Sequence, residues 1–251
     1  DEKLYTLDLN TERVDQIIFD SSQSGTIRRA QWSGDNSSML LILIDATLYT
    51  VNTLTREVSV YREDVDDFYS SESGLTTVTG PGPAWKVRQY ASGSADPSWE
   101  STIDADGALR IDSVTDDRGI TLTNGRRVFL ADPSDDASEH IGFEANYFDW
   151  HGTHLLLSTD FEVSLYDTIS EQTELIDRTS NQIIDLVWHP SGSYFLRRLV
   201  DELQIVELDG RDTRNIITIF SASGQYETQF DRKGSELYIL TQQSNQHLTL
   251  Q

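Results

Sequence analysis

The residues able to do chemistry in this 251-residue chain are acids, five histidines and a set of aromatics, and there is no cysteine. The missing cysteines remove disulfides, thiolate catalysis and Cys-ligated metals together. The acids gather in short loops: Asp64-Val-Asp-Asp67, Asp104-Ala-Asp-Gly107, Asp116-Asp117 and Asp132-Pro-Ser-Asp-Asp136. Asp104 and Asp106 before Gly107 echo the start of a calcium loop. Such a loop ends in a bidentate Glu at its twelfth position, and here that position is Thr115. Asp-Gly is also the ordinary signature of a hairpin turn. Of His140, His151, His154, His189 and His247, only His151 and His154 lie close in sequence. Zinc needs three or four converging ligands, and the sequence offers no such spacing. His151 and His189 each follow a tryptophan directly, so a shared turn role accounts for both. No Gly-x-Ser-x-Gly elbow and no phosphate-cradling loop is present. The expectation is no catalytic residue, no metal and no cofactor. The alternative is a glycan-active enzyme, because 42 acids always offer a carboxylate pair for glycoside hydrolysis in a central channel.

The tryptophans divide by position. Trp32, Trp150 and Trp188 share one repeat phase. They could stack a ligand, but the expected place for all three is the gap between adjacent sheets. Trp85 is out of phase and follows Gly80-Pro-Gly-Pro-Ala84. That run is a stiff loop, since Pro fixes φ and Gly permits positive φ. An aromatic at its end is the candidate anchor for a protein partner. The competing reading makes Trp85 a strand residue packed on the next sheet.

These residues hang on a repeat. An apolar or aromatic strand end runs into a short polar turn six times: Gln31-Trp32-Ser33-Gly34-Asp35, Phe68 to Gly74, Val114 to Gly119, Phe148-Asp149-Trp150-His151-Gly152, Val187-Trp188-His189-Pro190-Ser191-Gly192 and Gln229 to Gly234. Each copy begins a set of short strands, and repeats of about 35 to 45 residues built this way mark a β-propeller. The clearest blade uses Thr26–Trp32, Met39–Ile44, Leu48–Val51 and Glu57–Tyr61. Met39–Ile44 is apolar throughout, as a strand sandwiched between two neighbouring sheets should be. The expected fold is an all-β, six-bladed propeller of four-stranded antiparallel blades, forming one domain over residues 1–251. The last blade is expected to combine C-terminal strands from Tyr226 onward with the N-terminal strands Leu4–Asp8 and Val14–Phe19, hiding two sheet edges. Three strands plus two make five, so seven blades is the alternative.

Charge narrows the partners. Nineteen Lys and Arg against 42 Asp and Glu give −23. Phosphate recognition needs clustered cations, so nucleic acid and anionic membrane surfaces are excluded, and a cationic protein partner is favoured. Lysine occurs only at positions 3, 86 and 233, a bias that a high-salt habitat also produces. The longest apolar run, Met39–Ile44, is far too short to span a bilayer, and no signal peptide is evident. The chain opens in mid-pattern, as a mature or excised segment does. High Ser, Thr and Asp content points outward, to the periplasm, cell surface or medium, with any membrane anchor in a segment outside this chain.

One stretch resembles known families. Ile184-Asp-Leu-Val-Trp-His-Pro-Ser-Gly-Ser-Tyr194 resembles the Trp-x-Pro-Asp-Gly repeat start of TolB-like and WD-repeat propellers. Ile205-Val-Glu-Leu-Asp-Gly-Arg-Asp-Thr-Arg-Asn215 resembles the TolB-like outer hairpin. The segment is also similar to propellers of bacterial envelope proteins, some carrying a PEGA-type domain. The resemblance covers about residues 180–220. The repeated Gly-His and Trp-Asp pairs of WD-repeat proteins are absent, as is the Asp box of sialidases. The resemblance implies non-catalytic protein binding or scaffolding in the envelope.

Overall fold

The computed structural model describes residues 4–8, 12–17, 25–115, 119–133, 140–211, 213–221, 226–241 and 245–249. Among them every regular element is a β-strand and every pairing is antiparallel. No helix is long and apolar enough to cross a membrane. Strands β1 (Leu4–Asp8) and β2 (Arg13–Ile17) form a two-stranded sheet. The first four-stranded sheet runs β3 (Ile27–Trp32), β4 (Met39–Ile44), β5 (Thr47–Asn52) and β6 (Val58–Arg62). The second contains β7 (Asp67–Ser71), β8 (Gly74–Thr79), β9 (Ala84–Ala91) and β10 (Trp99–Asp104). The third contains β11 (Arg110–Thr115), β12 (Gly119–Thr123), β13 (Arg127–Ala131) and β14 (His140–Glu144). The fourth contains β15 (Tyr147–His151), β16 (His154–Ser158), β17 (Glu162–Asp167) and β18 (Gln172–Arg178). The fifth contains β19 (Ile183–Trp188), β20 (Tyr194–Leu199), β21 (Glu202–Glu207) and β22 (Ile216–Ser221). A three-stranded sheet of β23 (Tyr226–Phe230), β24 (Glu236–Thr241) and β25 (Asn245–Thr249) ends the order.

Each four-stranded sheet is a meander whose strands neighbour one another in chain order, the plan of a propeller blade. The terminal strands form separate sheets of two and three. Asp116, Asp117, Asp135 and Asp136, four of the loop acids, lie outside the described residues.

Contacts divide the chain into two compact units, residues 1–124 with 129–142 and residues 125–128 with 143–251. In the first unit, β4 explains its own composition. Leu41 and Leu43 face the second sheet and pack with Val65, Phe68, Leu75 and Tyr90. Leu40, Ile42 and Ile44 face the other way and pack with Leu4 and Ile17 of the β1–β2 hairpin. Alternate residues of a strand point to opposite faces, so a strand with a sheet on each side must be apolar throughout. A further cluster joins Trp85, Val87 and Ile103 to Leu109, Ile111, Ile120 and Leu122. In the second unit, Leu156 and Val163 pack with Leu186, Trp188 and Phe195. Leu196 and Leu203 pack with Tyr226, Leu237 and Ile239.

The first strands of three sheets are bulged at their starts. The register skips Arg28 in β3, Asp112 in β11 and Ile184 in β19. A bulge leaves one residue unpaired and re-aims its side chain, and bulges collect next to functional sites. Two of these three residues are charged.

Candidate functional site

The bulged Arg28 and Asp112 line one cavity of about 550 Å³ in the first unit, together with Arg29, Asp66, Asp67 and Arg110. Its walls come from β3, β11 and the entry to β7, the first strands of three successive sheets. Three cations face three anions there, a local balance inside a chain of net charge −23.

Asp67 is the fixed centre. It is buried, and one carboxylate oxygen accepts from the Ile111 backbone N–H at 2.7 Å. Arg29 Nη1 donates to both Asp67 oxygens, at 3.1 and 3.0 Å, and to the Ile111 carbonyl at 2.9 Å. The Arg29 guanidinium lies 5.7 Å from the ring centres of both Phe68 and Tyr69. A buried carboxylate is tolerated only when paired and hydrogen-bonded, and here one Arg–Asp pair ties three strands together. Nearby, the Gln31 amide donates to the Ser70 carbonyl at 2.9 Å and accepts from the Ser70 N–H at 3.1 Å.

The remaining groups are freer. Arg28 donates to the Asp45 carbonyl at 3.1 Å and lies 3.9 Å from Asp66. Asp66 accepts from the Gly80 N–H at 2.9 Å. Arg110 is exposed and, among the described residues, forms no ion pair. Asp112 keeps accessible surface toward the cavity, yet the protein around it desolvates its carboxyl and pushes the pKa up; Ser113 and Arg29 pull it back in part. The cavity therefore combines a locked ion pair with two further arginines and one acid whose pKa is raised by burial.

Trp85 lies elsewhere. Its indole is only 7% exposed, packs in the core, and donates through Nε1 to the Ala105 carbonyl at 3.2 Å. Little of its surface is open to a partner. The three in-phase tryptophans also separate. Trp188 is buried, with its backbone N–H donating to Asp149 Oδ2 at 2.7 Å and its indole N–H to the Asp149 carbonyl at 2.9 Å. Trp150 is half-buried. Trp32 is 48% exposed, so the expectation that all three fill gaps between sheets is corrected for Trp32. Its strand partner Leu40 packs in the cluster that includes Leu4 and Ile17 of the β1–β2 hairpin.

His151 and His189 do share a role. His151 stacks on Trp188 with ring centres 5.4 Å apart, and His189 reaches Gly234 of the following repeat. Among the described residues no group of three His, Asp or Glu side chains is placed to hold a metal ion. Arg28, Arg29, Arg110 and Asp112 escaped the sequence reading. The signal available was an Arg-Arg pair at the start of a first strand in a chain with few cations.

No family model matches this chain, and no curated protein sequence does either. Solved structures do. The C-terminal WD40 domain of Sif2 superposes with a TM-score of 0.64 at 12% identity, over 94% of this chain and 72% of that one. A chain of the mitotic checkpoint complex gives 0.59 at 11% identity, over 99% and 81%. Hsv2 of Kluyveromyces lactis gives 0.57 at 10% identity, over 86% and 71%. Identities this low speak for the fold alone. Together with the successive four-stranded meanders, they make the chain an all-β propeller. The structures it resembles include a WD40 domain.

Proposed function

We propose that this chain is a non-catalytic protein-binding propeller that scaffolds an assembly, with the β3–β7–β11 cavity as its contact point. The observation that carries this reading is the Arg29–Asp67–Ile111 clasp. The most buried acid of the cavity spends its carboxylate on a backbone N–H and an arginine, so it is not free to move protons. Arg28, Arg110 and Asp112 remain to recognise a partner. Propellers of this class include a chain of a named multiprotein complex, which favours the same reading. The similarity of residues 180–220 to TolB-like envelope propellers and the high Ser, Thr and Asp content support an exported domain, the six copies of the strand-end turn support six blades, and the net charge of −23 favours a cationic protein over nucleic acid or anionic lipid.

The second reading is a glycan-active enzyme, favoured by three carboxylates that line one cavity, Asp66, Asp67 and Asp112, the last with its pKa raised by burial. One experiment separates the two. The wild-type chain and an Arg28→Ala/Arg110→Ala variant are immobilised and exposed to extract of the source cells, while release of reducing sugar from a polysaccharide panel is followed in parallel. A protein retained by wild type and lost by the variant, without sugar release, supports the scaffold. Sugar release that disappears in Asp112→Asn assigns the enzyme.

A further inference from the structure

The first and second sheets leave a cleft of about 250 Å³ between them, separate from the cavity at β3, β7 and β11. One part of its wall is apolar, made by Met39, Leu41, Leu75 and Tyr61, and Asn36, Thr50 and Ser70 are among the polar residues of the rest. Tyr61 is the residue skipped by the register between β5 and β6, so a bulge turns it out of the ladder, and it is 38% exposed. At the mouth sits Asp35. One carboxylate oxygen accepts from the Ser33 hydroxyl and the other from the Ser92 hydroxyl. Both donors are neutral. Among the described residues no cation forms an ion pair with Asp35. Arg62, next in sequence to Tyr61, is held by the Ser94 carbonyl at 2.8 Å and lies 3.6 Å over Tyr90.

The loop that carries Asp35 is fixed in place. Gly34 N–H donates to Ser70 Oγ at 3.0 Å, and Ser33 N–H to the Met39 carbonyl at 2.9 Å. Gly34 touches the second sheet so closely that a β-carbon there would lie 2.2 Å from the Ser71 carbonyl carbon. The hydroxyls of Ser33 and Ser92 hold the Asp35 carboxyl below the usual carboxylate range, so its charge is present at neutral pH. A carboxylate offers about four acceptor sites, so Asp35 keeps acceptor capacity beyond these bonds. The result is a positioned negative charge, without a counter-ion, beside an apolar wall in a chain of −23.

We infer that this cleft is a docking site for a basic side chain, lysine or arginine, projecting from a cationic protein partner. The methylene stem of such a side chain lies along Met39, Leu75 and Tyr61 while its charged head reaches Asp35. Long basic side chains divide in this way between apolar surface and a charged tip, and the tip supplies the charge that Asp35 lacks. The inference rests on the protein-binding reading above and names the chemistry of the partner.

The test uses the ¹⁵N-labelled full chain and two probes at constant ionic strength: acetyl-Ala-Ala-Lys-Ala-Ala-amide and the same peptide with norleucine for lysine. The lysine peptide is expected to shift the amides of Gly34, Asp35, Asn36, Gly74, Ser92 and Gly93 saturably, and the norleucine peptide to leave them in place. Asp35→Asn and, independently, Tyr61→Ala should each weaken binding roughly fivefold or more, whereas Glu174→Gln, at an exposed acid of β18, should leave it unchanged. Shifts scattered over the surface acids, equal binding of both peptides, or full binding by Asp35→Asn would each overturn the proposal. The scaffold reading is judged separately. A native partner retained equally by wild type and Asp35→Asn sinks the cleft alone. Localised peptide binding without any native partner sustains the cleft and sinks the scaffold.

Discussion

His189 Nε2 lies 3.0 Å from the carbonyl oxygen of Gly234, one repeat further along the chain. The bond fixes the tautomer. His189 Nδ1 accepts from the Ser191 N–H at 3.1 Å, so the ring proton is on Nε2 and is donated to Gly234. The preceding repeat places its histidine in the same way, with His151 against Gly192. A β-carbon at Gly192 would meet the His151 ring at 2.5 Å, and one at Gly234 would meet His189 at 2.6 Å. Both glycines also hold positive φ, +70° and +75°, where a side chain is strained.

Gly152 supplies the control. It has φ +56° but open space around its missing β-carbon. Gly152→Ala should cost about 1 kcal/mol, the backbone term alone. Gly192→Ala and Gly234→Ala should each cost roughly 1–3 kcal/mol more, because a histidine ring must move as well. Urea unfolding of the three variants measures this. Equal losses would show that the histidines yield freely and that the interlock adds nothing.

The tryptophans yield a second set of expectations. Trp188→Ala should destabilise by about 3–5 kcal/mol, the range for a large buried aromatic. Trp85→Ala should fall in the same range, since its indole is buried and its N–H is bonded within the core. Trp32→Ala should cost about 1 kcal/mol, because nearly half of its surface is already in water. Denaturant melts decide the order. A Trp32 loss equal to that of Trp188 would mean that Trp32 is covered in solution.

The contrast between Trp32 and Trp188 also shows how far the sequence can be read. Repeat phase located the first strands, and an unbroken apolar run identified β4 as a strand with a sheet on each face. Phase alone placed Trp32 and Trp188 in equivalent settings, because periodicity reports position within a sheet and carries nothing about what covers it. Trp85 broke the phase and followed Gly80-Pro-Gly-Pro-Ala84, which left a partner anchor and a packed strand residue both open; it occupies an inward position of β9. The cavity was less legible still. Arg28 and Asp112 meet there because each is the unpaired residue of a bulge, and no spacing in the sequence announces a bulge. Asp67 could be read only as one of a run of loop acids, because its partners Arg29 and Ile111 are 38 and 44 residues away.

Asp112 makes the pH dependence of stability opposite in sign to that of the other perturbed acids. Its pKa is raised in the folded chain, so the folded state holds the proton more tightly than the unfolded state does. Its contribution is therefore fully present below the ordinary aspartate pKa and is lost as pH rises from there through the raised folded pKa. Asp35, Glu100, Asp167, Asp209 and Asp231 are depressed, Asp209 to about 2 through its hydrogen bonds with Arg211. Their stabilisation is present above the ordinary carboxylate pKa and is lost as pH falls through the folded values. Asp112→Asn should raise the melting temperature at pH 7 and leave it unchanged near pH 3. Asp231→Asn should lower it at pH 7 and converge with wild type at low pH. Thermal melts from pH 3 to 8 test both, and a drop at pH 7 for Asp112→Asn would show that its interaction with Arg29 outweighs its desolvation.

The β1–β2 hairpin gives the last expectation. Leu4 and Ile17 sit opposite each other across it, and both pack on the face of β4 formed by Leu40, Ile42 and Ile44. Removing residues 1–20 would bare three branched apolar side chains that are now 5%, 0% and 4% exposed. At about 25 cal/mol per Å² of apolar surface, even partial exposure of this face costs on the order of several kcal/mol, a large share of the stability of an ordinary domain. It would also present a flat apolar sheet face to other molecules. The truncated chain should melt well below the full chain and associate in sedimentation velocity runs. Leu4→Asp/Ile17→Asp in the full chain should reproduce the loss of stability, because it keeps the strands and removes only the packing. If the truncated chain melts like wild type and sediments as a monomer, the hairpin is not what protects β4, and the apolar face of that strand must find its cover in another part of the molecule.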